Sequence, residues 1–163
     1  MELNILYEDK DILVCEKLPG VPVQSDKTLA PDLVNQLKNY RFEKEENAPY
    51  IGLVHRLDRP VGGVMVFGKT AEATRKLSQQ IQQKQMKKTY LCIVTKELPD
   101  LLGADKVLLT DYLKKDGRTN TSRIVSQSDK AGKKAQLYYQ VKKVAEGCSL
   151  VEVGLLTGRH HQI

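Results

Sequence analysis

The sequence predicts an α+β fold with flanking helices on a largely antiparallel, mixed β-sheet. Short apolar runs with strand-like patterning outnumber segments with helical spacing, and turns such as Asp116-Gly117 and Glu146-Gly147 separate consecutive runs. Hairpin spacings of this kind are typical of antiparallel sheets, which need no long crossover connection. With 163 residues, 40% of them hydrophobic and 28% charged, the chain suits one globular domain over residues 1–163.

Two strands and a helix are predicted first. Residues 4–7 and 11–16 are short apolar runs on either side of a charged turn, as in a β-hairpin. The segment 29–40 has the spacing of an amphipathic helix, with its apolar positions at Leu29, Leu33, Val34 and Leu37.

The rest of the chain predicts one more helix among several strands. Thr70 is a plausible N-cap for a helix over residues 70–85, whose buried stripe is Ala73, Leu77 and Ile81. Apolar runs with turn residues at their ends predict strands at residues 64–67, 89–94, 106–114, 121–126, 135–144 and 149–156.

The charge of the chain is unevenly distributed. Residues 1–68 carry 8 Lys and Arg against 11 Asp and Glu, a net charge of −3, and residues 69–163 carry 18 against 9, a net charge of +9. The densest basic stretch runs from Lys114 to Lys134. Such a surface attracts polyanions, which indicates nucleic acid, although a solvated hairpin face would have the same composition.

Neither a membrane protein nor a disulfide framework is indicated. The apolar runs of this sequence are far shorter than the roughly 20 residues of a transmembrane helix, and the N-terminus lacks the pattern of a secretory signal. The three cysteines stand singly, without the spacing of a disulfide framework or a zinc site. We therefore expect a cytoplasmic protein.

The segment 52–69 is the strongest candidate for chemistry. A polar cluster ends in Asp58, and Pro60, Gly62 and Gly63 then lead into an apolar strand. Glycines permit backbone angles and close approaches that other residues do not, so we expect this turn to present Asp58 in a cleft. A carboxylate held there can serve as a nucleophile or a general base, whereas in the simpler interpretation it caps a turn or pairs with a neighbouring arginine.

A second polar segment follows the last predicted strand. Arg159 can supply a fixed cation beside a carboxylate, lowering the pKa of that group and orienting it. His160 and His161 are adjacent, and neighbours in an extended chain point to opposite faces, so we expect no metal site and interpret them as structural or RNA-contacting.

Taken together, four elements resemble the RluA-type pseudouridine synthase family. His55-Arg56-Leu57-Asp58 is similar to the family's aspartate signature, and residues 156–163 are similar to its Leu-x-Thr-Gly-Arg-x-His-Gln motif. Between them Lys87-Lys88-Thr89-Tyr90 is similar to the Lys-x-Tyr entry to a strand, and Lys17-Leu18-Pro19-Gly20 resembles the Lys-Pro-x-Gly element imperfectly. These elements occur in the family's order across residues 11–163.

The resemblance implies a set of roles. Asp58 is the expected catalytic carboxylate and Arg159 its partner, while Tyr90 stacks on the uracil and Leu156 forms an apolar wall of the base pocket. Arg56 is the expected substrate contact that stacks against RNA or binds phosphate once the target uridine is flipped out. Lys17 is expected to support the turn. The implied activity is isomerisation of uridine in structured rRNA or tRNA by a monomer that needs no cofactor, no metal and no membrane.

In two respects the chain departs from the family pattern. Val61-Gly62-Gly63 stands where the family usually has Thr-Ser-Gly, which removes two hydroxyl groups near the site. The family motif also continues past the position of Ile163, so the resemblance implies a catalytic domain that is incomplete at its C-terminus, without a separate N-terminal RNA-binding domain.

The sequence leaves alternatives open. Attack on the pyrimidine ring and a glycal-type route at the ribose both need the same carboxylate. A non-catalytic RNA-binding module would also explain the basic half of the chain, and a carboxylate-dependent nucleosidase would also work at an anomeric carbon.

Overall fold

The computed structural model describes residues 3–24, 31–44, 47 and 49–163, which divide into two compact units, Met1–Gln85 and Met86–Ile163. Among these residues the first unit has a four-stranded sheet and two α-helices, and the second has a five-stranded sheet. All the strand pairs are antiparallel. The predicted α+β class is thus confirmed, although the strands form two sheets. That residues 1–163 act as one catalytic domain stays a prediction.

The first unit is a sheet of strand order β1-β2-β4-β3. Its centre is the antiparallel pair β2–β4, in which Leu13 lies opposite Phe67 and Cys15 opposite Met65, all four fully buried. Leu37 of the first helix is also fully buried in this core. Within the described residues the elements are β1 (Asn4–Glu8), β2 (Ile12–Lys17), α1 (Leu33–Glu43), β3 (Gly52–Leu53), β4 (Gly63–Gly68) and α2 (Ala71–Gln82).

Side-chain caps determine where both helices begin. Thr70 caps α2 as predicted, because its side chain accepts a hydrogen bond from the backbone N–H of Ala73 at 3.1 Å. The Asp32 side chain accepts from the backbone N–H of Asn35 at 2.8 Å, so α1 begins at Leu33 and the predicted start was too early. Leu29 lies outside the described residues.

Strand β4 and helix α2 approach each other too closely for a side chain at Gly68. A Cβ added there would lie 2.7 Å from the backbone nitrogen of Thr74. We expect Gly68→Ala to lower the free energy of unfolding by about 2–4 kcal/mol, because the helix backbone must shift to relieve the overlap. Urea denaturation measures the effect. Gly117→Ala is the control, since an added Cβ meets no atom within 4 Å there; equal losses in both variants would contradict the prediction.

A carboxylate on β1 forms hydrogen bonds to residues in or next to α1 and β4 in the first unit. The Glu8 carboxylate accepts hydrogen bonds from Lys69 Nζ at 2.8 Å, Lys44 Nζ at 3.0 Å and the Tyr40 hydroxyl at 3.1 Å. Burial acts to raise the pKa of Glu8, but these donors outweigh it and lower that pKa from 4.5 to about 2.

This network predicts a loss of stability in acid. Because the pKa of Glu8 is lowered on folding, its stabilising contribution is present above pH 4.5 and is lost as the pH falls towards about 2. We expect Glu8→Gln to cost at most about 3 kcal/mol of unfolding free energy at neutral pH and little near pH 2. Denaturation of both proteins across this range measures the difference, and a gap that does not depend on pH would contradict it.

The second unit is a sheet of strand order β5-β9-β8-β6-β7. Four buried side chains on β8 and β9, Leu137, Val141, Val151 and Val153, form its core on one face. No helix of the described residues is long and apolar enough to span a membrane. The strands are β5 (Lys88–Val94), β6 (Val107–Asp116), β7 (Thr121–Val125), β8 (Lys133–Ala145) and β9 (Cys148–Leu155), with a short 3₁₀ helix at Pro99–Leu101.

Candidate active site

The Asp58 loop, residues 54–62, joins β3 to β4. Its side chains alternate in exposure: His55 and Leu57 are half-buried, whereas Arg56 and Asp58 are exposed. Leu57 packs against the core of the first unit. His55 and Leu57 therefore anchor the loop, whereas the side chains of Arg56 and Asp58 are exposed.

His55 fixes the start of this loop by replacing a strand partner. Strand β3 pairs with Phe67 and Gly68 of β4 and ends before it reaches Val66. There the backbone N–H of Val66 donates to His55 Nε2 at 3.3 Å. An Nε2 that accepts a hydrogen bond carries no proton, so the imidazole proton of His55 lies on Nδ1.

Three residues hold the backbone next to Asp58, and we call them the Lys17 clamp: Lys17, Gly20 and Arg59. The Arg59 carbonyl oxygen accepts from the Gly20 N–H at 2.8 Å and from Lys17 Nζ at 3.2 Å. In return Arg59 Nε donates to the Gly20 carbonyl at 2.9 Å. The residue after Asp58 is thus fixed by three hydrogen bonds to a distant part of the chain.

Lys17 is the unusual member of the clamp because it is fully buried. It follows Leu13 and Cys15 on the core face of β2, where the alternation calls for an apolar residue. Burial lowers the pKa of Lys17, and the nearby negative charge of Asp58 opposes that shift. Supporting the turn is what the sequence predicted for Lys17, and its contacts fit that role.

Gly62 at the end of the loop and Gly63 at the start of β4 have the roles predicted for them. A Cβ at Gly62 would lie 2.9 Å from Pro19 Cδ, so only glycine lets the loop lie against the proline beside the clamp. Gly63 has a φ of 148°, which side chains rarely tolerate.

Asp58 itself is exposed, and its predicted place in a cleft stays a prediction. It is the first residue of a turn in which the Val61 N–H donates to the Asp58 carbonyl at 3.0 Å.

The other predicted site residues belong to the second unit. Tyr90 is half-buried on β5, opposite Val153 of β9, and packs against the core of this unit. Leu156 follows β9 and is 41% exposed. Arg159 is exposed, and its Nε donates to the Lys134 carbonyl at 2.9 Å. The predicted pairing of Arg159 with Asp58 stays a prediction.

The segment around Arg159 is fixed by residues that the sequence analysis did not single out. Gln162 Oε1 accepts from the Arg159 N–H at 2.9 Å and from the Thr157 hydroxyl at 2.8 Å. Gln162 Nε2 and the backbone N–H groups of Leu156 and Thr157 all donate to the Gln136 carbonyl. Thr157 and Gln162 belong to the Leu-x-Thr-Gly-Arg-x-His-Gln motif, which was a sequence signal for this role. No sequence signal marks Gln136, because it acts through its backbone carbonyl.

The histidine pair departs from the expectation. His161 has a φ of 48°, so the chain is not extended here, and the two imidazole rings stack with centroids 3.8 Å apart. The prediction that the rings point to opposite faces is wrong, because it assumed an extended backbone. Ser122 of β7 lies 3.0 Å from His160 Nδ1 and donates to the His160 carbonyl at 2.7 Å, which holds the pair against the sheet.

Known proteins are similar to this chain in both sequence and fold. A ribosomal large subunit pseudouridine synthase C from Buchnera aphidicola subsp. Baizongia pistaciae is 33% identical over 159 residues, which are 98% of this chain and 48% of that protein. The protein of the same name from Pasteurella multocida is 31% identical over 163 residues, 100% of this chain and 47% of that protein. The chain thus spans about half the length of these relatives.

The solved structure of human RNA pseudouridylate synthase domain containing 4 superposes with a TM-score of 0.79 at 22% identity, over 98% of this chain and 61% of that one. That likeness concerns the fold. The family model described as RNA pseudouridylate synthase matches residues 11–163, the range over which the four RluA-type elements occur. The chain therefore belongs to the RNA pseudouridylate synthase family.

Proposed function

We propose that this chain is the catalytic region of an enzyme that isomerises uridine to pseudouridine in large-subunit ribosomal RNA, with Asp58 as its essential carboxylate. The observation that carries the proposal is the Asp58 loop: an acid faces outward while His55, Leu57 and the Lys17 clamp immobilise the backbone on both sides of it. A structural carboxylate needs no such support. A catalytic one does, since small misplacements lower the rate steeply.

The reaction explains why an exposed acid suits the site. In pseudouridine formation the bond between ribose C1′ and uracil N1 breaks, the ring turns, and C1′ bonds to C5, whose proton is lost while N1 gains one. No electrons are exchanged with a second molecule, so we propose no cofactor. A stacked uridine is out of reach and must be flipped out, so the incoming RNA itself supplies the shielding that Asp58 lacks in the chain alone.

We assign the remaining roles by family resemblance and by position. Arg56 is exposed two residues before Asp58, where a planar guanidinium suits stacking or phosphate contact with the flipped nucleotide. Tyr90 offers a ring to stack on uracil, and Leu156 an apolar wall. Arg159 is the partner for the Asp58 carboxylate, and its segment is held by Gln162. Both the ring-attack and glycal-type routes are compatible with these roles.

Incubating the protein with unmodified large-subunit ribosomal RNA, followed by nucleoside analysis, tests the function. The proposal expects pseudouridine and no free uracil. Release of free uracil would instead identify a nucleosidase, and binding without either product would identify an RNA-binding module. Unmodified transfer RNA in a parallel reaction identifies the class of substrate.

A further inference from the structure

The positive charge of the second unit is concentrated around the β6–β7 hairpin. Residues 114–134 carry seven Lys and Arg against two Asp, a net charge of +5, whereas the whole chain carries +6. Both acids also accept hydrogen bonds from the backbone of their own turns. The Asp116 carboxylate accepts from the Arg118 N–H at 2.8 Å. The Asp129 carboxylate accepts from the Ala131 N–H at 2.9 Å.

Six of these seven cations are exposed and form no ion pair within the described residues. The seventh, Lys114, is half-buried and pairs with Asp129 at 3.1 Å. Charges often protect the edge strand of a sheet, but of the six only Arg123 lies on the edge strand β7. The surface is therefore available to a polyanion. The six are Lys115, Arg118, Arg123, Lys130, Lys133 and Lys134.

Beyond Leu113 the hairpin continues past the rest of the sheet as a two-stranded ribbon. Strand β8 begins at Lys133, which lies opposite Leu113. Residues 114–116 of β6 therefore pair with β7 and have no partner on β8. We name the segment 114–123 the basic ribbon.

The basic ribbon and the adjoining start of β8 carry cations on both faces. Strand alternation and the register of β6 with β8 place Lys115 and Lys133 on one face. The registers with β7 and β8 place Arg123 and Lys134 on the other face, together with Lys114. A ligand with negative charge on one side alone would leave half of these cations unused. The arrangement suits a ligand that has two rows of phosphates.

The tip between the two faces is polar and preformed. The Asp116 carboxylate fixes the turn through its hydrogen bond from the Arg118 N–H, and Asn120 has a left-handed backbone with a φ of 52°. Thr119 and Thr121 are exposed on either side of Asn120, and their hydroxyl oxygens lie 2.7 Å apart. Hydroxyl and amide groups of this kind can exchange hydrogen bonds with the 2′-hydroxyl groups of RNA.

We propose that the basic ribbon binds an RNA double helix across its minor groove. That groove is wide and shallow, displays 2′-hydroxyl groups and has a phosphate backbone along each side. The two faces of the ribbon then contact the two backbones, and the tip contacts the 2′-hydroxyl groups between them. RNA as the ligand rests on the proposed function, in which the substrate is structured ribosomal RNA. The ribbon adds a contact to a helical part of that RNA, independent of its base sequence.

Binding to a short RNA duplex of guanosine and cytidine tests the proposal, because this probe contains no uridine and is not a substrate. The DNA duplex of the same sequence and a single strand of oligocytidylate are the comparison probes. We expect the RNA duplex to bind about tenfold more tightly than either of them. A DNA duplex or a single strand that binds as tightly as the RNA duplex would overturn the proposal.

Three double variants, measured on the RNA duplex over a range of salt concentrations, test the two faces. Each removes two cations: those of one face, those of the other face, or, as the control, two lysines that lie 3.8 and 3.2 Å from Glu152. We expect each face variant to bind about tenfold more weakly, with a salt slope smaller by about 1 to 2, and the control to bind like the wild type. The variants are Lys115→Ala with Lys133→Ala, Arg123→Ala with Lys134→Ala, and Lys106→Ala with Lys142→Ala.

A loss confined to one face variant would overturn the two-sided contact, and equal losses in all three variants would reduce it to an effect of net charge. Thr119→Val with Thr121→Val should weaken the preference for RNA over DNA and leave the salt slope unchanged; an unchanged preference would overturn the contact of the tip. Thermal melting confirms that all variants are folded. Failure of the proposed function is distinguished by nucleoside analysis: a wild-type protein that binds the RNA duplex but forms no pseudouridine overturns the enzyme and leaves the ribbon contact standing.

Discussion

Asp58→Asn is expected to abolish pseudouridine formation while RNA binding persists. The substitution keeps the size of the side chain but removes the ionised oxygen that either chemical route requires. Loss of a nucleophile or essential base typically costs at least about 10⁴-fold in rate. The folded structure should tolerate the change, since Asp58 is exposed and its backbone is held by the carbonyl and N–H groups of its neighbours.

The measurement is single-turnover conversion of uridine at saturating RNA, beside an equilibrium binding assay. Asp11→Asn is the matched control, because it removes the same charge from another exposed carboxylate of the first unit. The control should react like the wild type. Turnover by Asp58→Asn within tenfold of the control would exclude a carboxylate mechanism, and a parallel loss of binding would make Asp58 a determinant of RNA affinity instead.

Local patterns were sufficient to predict most elements. Strand β4, predicted at residues 64–67, lies at Gly63–Gly68, and the Thr70 cap was located correctly, because alternation and capping depend on neighbouring residues. The start of α1 was placed too early since the apolar spacing continued back to Leu29, and spacing alone does not reveal that Asp32 supplies the cap.

Long-range contacts were the part that the sequence could not provide. Arg59 accepts a hydrogen bond from Lys17, 42 positions earlier, and no local pattern encodes that pairing. One signal could nevertheless be recognised in the sequence: Lys17 follows Leu13 and Cys15 on the buried face of the same strand. A buried cation needs a compensating partner, so its position on an apolar face marks a site under functional constraint.

Lys17→Met is expected to reduce turnover about a hundredfold with little change in RNA affinity. The replacement keeps the bulk of the side chain in the core but removes the hydrogen bonds to the carbonyls of Leu18 and Arg59. It also removes the positive charge that attracts Asp58. The loop then loses part of what fixes its catalytic residue, and a displacement of about 1 Å suffices for such a loss in rate.

Two comparisons separate positioning from a general loss of stability. Lys69→Met removes another mostly buried lysine of the first unit, the one paired with Glu8 at 2.8 Å, and should lower the melting temperature without slowing turnover below it.

Gly62→Ala pushes against Pro19 and disturbs the clamp by a different route. If Lys17 acts through the clamp, the Lys17→Met and Gly62→Ala losses in kcat will not add in the double variant, because each disrupts the same support. Additive losses would show that Lys17 acts independently of the clamp, and a drop in kcat for Lys69→Met of equal size would reduce its role to stability.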